Sequence, residues 1–154
     1  MIIPPVLKDG DRVAIISPAS TVKPEYIDGA VEFLRAEGFD PVVSRHAKGP
    51  ASGSYASDME SRLGDFCEAW RDPSVRAVLC ARGGYGSVHL LPHIDPEMLR
   101  DDPKWLIGFS DISALHAMLS AAGVASIHGP MAKHLAEEDS EHYATRAMMR
   151  ILGY

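Results

Sequence analysis

The chain has 154 residues, a formal net charge of −6 and 46% hydrophobic residues, which is the composition of one ordinary globular domain. Lysine and arginine form no basic run, and no apolar stretch approaches the roughly 18 residues of a membrane span, so we expect neither nucleic acid nor a membrane as a partner. The N-terminus lacks the pattern of a signal peptide and the two cysteines are isolated, which favours a cytoplasmic protein.

Short apolar runs alternate with longer amphipathic segments along the chain. In chain order the patterns predict a strand at 13–17, a helix ending at Gly38, a strand at 41–43, an exposed loop at 44–57, a helix from 59 to Asp72, a strand at 75–81, a short helical piece at 88–91, a strand at 105–109, a helix at 112–122, a strand at 125–127 and a helix at 141–152. This alternation predicts an α/β fold whose parallel sheet of about four to six strands has helices on both faces.

Two helix ends carry more specific signals. Ser57 and Glu60 form a capping-box pattern, which predicts that Ser57 is the N cap of the helix that follows. The last helix ends in the run 147–152, which is rich in apolar residues. We expect part of that run to be exposed and to pack against another protein surface.

The stretch GFSD, residues 108–111, ends a predicted strand and begins a helix. Serine is a favoured N cap, so Ser110 can be explained as a capping residue alone. The stretch also resembles a nucleophile elbow, in which a strained turn presents a serine hydroxyl beside the free N–H groups of a helix N-terminus. Because the sequence does not match the G-x-S-x-G pattern, the residues alone leave both interpretations open.

A glycine-rich loop, RGGYG at residues 82–86, follows the clearest buried strand. Glycines let a backbone approach a ligand closely and direct N–H groups at it, although a simple tight turn has the same composition. The loop does not fit a dinucleotide fingerprint, because His89 occupies the third glycine position, and it lacks the lysine of a P-loop. Since ligands gather at the carboxyl ends of parallel strands, we expect this loop and GFSD to lie together.

The seven histidines form no metal-binding motif, and we expect neither a metal nor another cofactor. His116 lies on the helix after Ser110, where it is poorly placed to act as a base for that serine. His128, at the end of a predicted strand, is the histidine that we retain as a candidate site residue.

Four segments in order, GDRVAIISPAS, YASDMESRLGDFCEAWRDPSVRAVLCARGGYGSVHLLPHID, LIGFSDISALH and HGPMA, resemble the LD-carboxypeptidase family. These serine peptidases of murein recycling include the microcin C immunity proteins. The resemblance implies a three-layer fold of the flavodoxin-like or class I glutamine amidotransferase-like kind. It implies that Ser110 is the nucleophile of a Ser–His–Glu triad, that the N–H groups of Gly84 and Asp111 form the oxyanion hole, and that Tyr85 and His128 contact substrate.

The resemblance also implies a domain organisation. Residues 1–154 would be the nucleophile-bearing N-terminal domain, whereas the Glu and His of the triad belong to a C-terminal domain outside this chain. The full-length protein would be a homodimer that removes a terminal D-alanine from murein tetrapeptides, and the isolated chain would be inactive. Two alternatives are an immunity-type hydrolase of peptidyl or aminoacyl nucleotides and a non-catalytic flavodoxin-like binding module.

Overall fold

The structure is a computed structural model that describes residues 1–153. Five parallel strands form one sheet in the order β2-β1-β3-β4-β5, with β1 at Arg12–Ile16, β2 at Asp40–Val43, β3 at Val75–Cys80, β4 at Trp105–Gly108 and β5 at Ile127–His128. Six α-helices accompany them: α1 at Pro24–Ala36, α2 at Met59–Arg71, α3 at Pro96–Asp101, α4 at Ser113–Ala121, α5 at Ala132–Glu137 and α6 at Tyr143–Leu152. Short 3₁₀ helices lie at Ser87–His93 and Ser110–Ile112.

The helices divide between the two faces of the sheet, which confirms the predicted three-layer α/β fold. Helices α1, α5 and α6 pack on one face, against side chains such as Val13 and Ile15. Helices α2, α3 and α4 pack on the other face, against the alternate residues Ala14 and Ile16. Because both faces are covered, the strands read as continuous apolar runs instead of alternating patterns. No helix in residues 1–153 is long and apolar enough to cross a bilayer.

Each predicted strand is present, but three details of the prediction are wrong. The last strand lies at Ile127–His128 instead of 125–127, and the short helices α3 and α5 were not predicted. The N cap of α2 is Asp58, whose side chain accepts a hydrogen bond from the Ser61 N–H. Ser57 lies one residue before that N cap; it is buried, and its carbonyl accepts a hydrogen bond from Arg62.

The apolar end of α6 is also not the exposed surface that the sequence suggested. Met148, Met149 and Leu152 are each at most 2% exposed and join the core on the α1 face. The N-terminal segment fastens this helix, because the Leu7 N–H donates to the Leu152 carbonyl. Ile151 alone of the large apolar side chains in the 147–152 run stays exposed. The helix therefore completes the core of this domain.

Candidate active site

Ser110 occupies a strained turn at the carboxyl end of β4. Its φ is +63°, and it is the single non-glycine residue with positive φ in the part of the chain that the structure describes. A left-handed conformation costs a non-glycine residue about 1–3 kcal/mol, so neighbouring contacts must hold it. The residue is exposed, and its hydroxyl makes no hydrogen bond to any described residue. The capping interpretation therefore has no hydrogen bond to support it.

The two loops singled out from the sequence lie against each other, as predicted. A Cβ added to Gly83 would lie 3.2 Å from both the Ser110 Cβ and the Asp111 nitrogen, so a side chain there would crowd the Ser110 turn. Gly84 has a φ of +89°, and a Cβ on it would overlap the Ser20 hydroxyl. The two adjacent glycines therefore allow the RGGYG backbone to pack directly against the serine and the residue after it.

Hydrogen bonds fix this loop while leaving two N–H groups free. The Ser20 hydroxyl accepts the Tyr85 N–H at 3.0 Å. Ser87, which is fully buried, donates its N–H to the Asp111 carboxylate at 3.0 Å and its hydroxyl to the Asp111 carbonyl at 2.8 Å. Within residues 1–153, the N–H groups of Gly84 and Asp111 donate no hydrogen bond. Unpaired N–H groups beside an exposed hydroxyl can stabilise a negatively charged oxygen.

The Arg62 side chain joins three loops of the candidate site, and the sequence analysis did not identify it. Its side chain is 2% exposed and donates to the carbonyls of Ser57, Pro18 and Gly86, which lie on three different loops, at 2.9–3.1 Å. Burial lowers the pKa of the guanidinium, although nearby acidic groups oppose that shift. The sequence did contain a sign of this burial: Arg62 precedes Phe66 by four residues, which places both on the buried face of α2.

The structure places His116 and His128 beside β4, and neither has a contact with the Ser110 hydroxyl. His116 Nε2 lies 2.8 Å from the Gly108 carbonyl and Nδ1 lies 2.7 Å from the Ser126 hydroxyl. Because a carbonyl can only accept, Nε2 carries a proton, so this histidine positions the end of β4. His128 is exposed and pairs with Gly108 in the sheet register, with its ring 5.8 Å from that of Phe109.

Tyr85 lies on the opposite side of the nucleophile loop from these histidines. Its side chain is 55% exposed, and its ring meets His89 edge to face at a centroid distance of 5.4 Å. Tyr55 completes the cluster, 6.4 Å from Tyr85 and stacked under the Arg62 guanidinium. Tyr85, in the loop after β3, and His128, at the end of β5, therefore lie on either side of the Ser110 strand. Within residues 1–153 no group of three or more His, Cys, Asp or Glu side chains could hold a metal ion.

The chain is similar in sequence to carboxypeptidases and to an immunity protein. It is 40% identical over 126 residues to the murein tetrapeptide carboxypeptidase of Pseudomonas aeruginosa, covering 80% of this chain and 40% of that protein. It is 32% identical over 126 residues to the microcin C7 self-immunity protein of Escherichia coli, covering 79% of this chain and 36% of that protein. The chain thus spans less than half the length of these relatives.

Structural and family comparisons agree with the sequence matches. A crystal structure of an MccF-like protein from Bacillus anthracis superposes with a TM-score of 0.88 at 35% identity, covering 99% of this chain and 47% of that one. Residues 13–129 match the LD-carboxypeptidase N-terminal domain. That match includes both loops of the candidate site, RGGYG and GFSD. The chain therefore belongs to the LD-carboxypeptidase family.

Proposed function

We propose that residues 1–154 are the nucleophile-bearing N-terminal domain of a cytoplasmic serine LD-carboxypeptidase. Its reaction is the removal of the terminal D-alanine from murein tetrapeptides in cell-wall recycling. The observation that carries the proposal is the left-handed backbone of Ser110, with φ +63°, at the end of a strand and beside two unpaired N–H groups. Such strain is retained in proteins where the position serves a function, and a helix cap does not need it.

In the proposed reaction the Ser110 oxygen attacks the carbonyl carbon of the amide that precedes the terminal D-alanine. The N–H groups of Gly84 and Asp111 bind the oxyanion of the tetrahedral intermediate. A histidine base accepts the serine proton and then gives it to the departing amine of D-alanine. Water then hydrolyses the acyl-enzyme and releases the shortened peptide. Ser87 and Arg62 act indirectly, since they hold the loops that carry the oxyanion donors.

We assign the histidine and the glutamate of the triad to a C-terminal domain outside this chain. Relatives are more than twice as long as the region that they share with it. Among the described histidines, His116 has both ring nitrogens engaged elsewhere, and His128 makes no hydrogen bond to Ser110. A serine without its base loses on the order of a million-fold in turnover, so the isolated chain should be inactive.

Tyr85 and His128 are assigned to substrate contact because both are exposed, one after β3 and the other at the end of β5, on either side of the strand that leads to Ser110. The similarity to the microcin C7 self-immunity protein supports a second substrate class, a peptidyl or aminoacyl nucleotide. The higher identity to the murein tetrapeptide carboxypeptidase, 40% against 32%, favours the murein peptide. We propose a homodimer for the full-length protein.

The test compares three proteins under the same conditions: the 154-residue chain, a longer protein that adds the C-terminal domain, and its Ser110→Ala variant. The longer protein should release D-alanine from the tetrapeptide, whereas the chain and the variant should not. Ser113→Ala is the matched control, because Ser113 is exposed one turn further along the chain and has no proposed role.

The outcomes separate the hypotheses. Activity of the Ser110→Ala variant would rule out this nucleophile, and activity of the isolated chain near that of the longer protein would assign the base to a histidine of this chain. Faster hydrolysis of an aminoacyl nucleotide than of the tetrapeptide would favour the immunity-type function. Failure of the longer protein on both substrates, with its fold intact by circular dichroism, would favour the binding module.

A further inference from the structure

A cavity of about 350 Å³ lies at the carboxyl edge of the sheet, between the N-terminal ends of α1 and α5. Three cationic side chains line it: Lys23 before α1, Arg82 after β3 and Lys133 in α5. None of the described residues that line it is acidic, although the chain as a whole carries a formal charge of −6. The cavity is therefore a local concentration of positive charge on an acidic protein.

These three cations have no carboxylate partner. Nine ion pairs occur among the described residues, and none of them involves Lys23, Arg82 or Lys133. Tyr26, which lines the cavity, lies between charges of both signs. Glu137 accepts a hydrogen bond from its hydroxyl and, together with Glu25, raises its pKa, whereas Lys23 and Lys133 lie 5.7 and 5.9 Å from the centre of its ring. Unpaired cations that converge on a concave surface can bind an anion without first breaking an ion pair.

The Arg82 side chain is partly fixed in place. One of its terminal nitrogens donates to the Thr21 carbonyl at 2.6 Å, which directs the guanidinium toward the start of α1. The remaining N–H groups of its planar fork have no partner in the described residues. A guanidinium held in this way binds a carboxylate through two parallel hydrogen bonds, which a lysine cannot do.

The cavity adjoins the proposed nucleophile on two sides. Arg82 directly precedes Gly83, whose backbone packs against Ser110, and the His134 ring of the cavity lies 5.2 Å from that of Phe109. An enzyme that removes one terminal residue needs the carboxylate within about one residue length, roughly 3.5 Å of chain, of the scissile carbonyl. Arg82 is two residues before Gly84, the proposed oxyanion donor, so its side chain starts in the same loop that would bind the scissile carbonyl.

We propose that this cavity binds the free terminal carboxylate of the peptide, with Arg82 as the principal ligand and Lys23 and Lys133 as supporting charges. The inference rests on the proposed function and extends it, since it explains why cleavage is limited to the last residue. An internal peptide bond has no carboxylate at that distance. A peptide that continues past the scissile bond would therefore offer the three cations no counter-charge.

The test measures binding to the Ser110→Ala form of this chain, in which hydrolysis cannot interfere. The probes are diacetyl-L-lysyl-D-alanine, its carboxamide, and adenosine monophosphate, each titrated while backbone and side-chain NMR signals are followed. The carboxylate should bind at least tenfold more tightly than the carboxamide and should shift the Arg82 and Lys133 signals. Arg82→Gln should reduce that preference to less than threefold. Lys8→Gln is the matched control, because Lys8 is exposed before β1, at the opposite edge of the sheet.

Equal binding of the two peptides to the Ser110→Ala chain would overturn the inference, as would an unchanged preference in Arg82→Gln. Tighter binding of adenosine monophosphate to the same residues would assign the cavity to a phosphate instead. The NMR spectrum of each variant shows at the same time whether it is folded. These results are independent of D-alanine release by the longer protein, so failure of this inference and failure of the proposed function can be told apart.

Discussion

Replacing Arg62 by methionine should destabilise the domain and loosen the nucleophile loop. Methionine resembles the aliphatic part of the arginine side chain but has no hydrogen-bond donor. The substitution removes three hydrogen bonds that join the loops after β1 and β3 to the loop before α2. No other described residue makes those connections with a single side chain.

The size of this destabilisation can be worked out from the carbonyl groups that lose their hydrogen bond to Arg62. The Gly86 carbonyl keeps the His89 N–H, but Arg62 supplies the one hydrogen bond that the structure gives to the buried carbonyls of Pro18 and Ser57. An unpaired buried carbonyl costs about 1–3 kcal/mol, so the two together cost about 4 kcal/mol. Removing a buried charge that has no carboxylate partner offsets part of that cost. We therefore expect the free energy of unfolding to fall by about 3 kcal/mol.

Urea unfolding at pH 7 measures this loss, and amide hydrogen exchange reports its location. Exchange at Tyr85, Ser87 and His89, whose N–H groups donate hydrogen bonds in this loop, should accelerate more than exchange in β1. Arg71→Gln is the control, because Arg71 is exposed on the same helix and should change stability by about 0.5 kcal/mol at most. A loss below about 1 kcal/mol for Arg62→Met, or exchange that is unchanged in the loop, would refute the reasoning.

Three further substitutions test the geometry of the site and of the sheet. Ser110→Gly should stabilise the chain by about 1 kcal/mol in urea unfolding, because glycine adopts a φ of +63° without strain; no gain over Ser110→Ala would contradict this. Gly84→Ala should cost at least about 2 kcal/mol, and more than Gly10→Ala, which has a similar φ of +83° but open space around an added Cβ. Hydrogen bonds from the Ser74 hydroxyl and N–H lower the pKa of the Asp72 carboxyl group. The contribution of Asp72 to the free energy of unfolding is therefore present above about pH 4 and is lost as pH falls through the folded-state pKa. Asp72→Asn should therefore flatten the decline of the unfolding free energy below pH 4. Glu32→Gln, at an exposed position of α1, should not.

The sequence predicted the features that depend on local pattern. Apolar runs marked the strands because parallel strands are buried on both faces, and the spacing of apolar residues marked the long helices. The same pattern placed RGGYG and GFSD at one edge of the sheet, where the structure brings Gly83 against Ser110. Short elements were missed because a helix of six residues, as in α3 and α5, is too short to show a repeating pattern of apolar residues.

Tertiary structure decided what depends on residues distant in the chain. Local pattern suggested an exposed end for α6, but Met148 and Met149 find a core built from segments more than a hundred residues earlier, including Val13 and Ile15. In the sequence Arg62 is one charged residue of a predicted helix. Its buried hydrogen-bond acceptors come together only when three separate loops meet in the folded chain. Likewise, the residues around Ser110 left both the cap and the nucleophile interpretation open, because its backbone conformation depends on the distant loop that packs against it. Propensity acts over a few residues, whereas these contacts exist only once the sheet has formed and its loops meet.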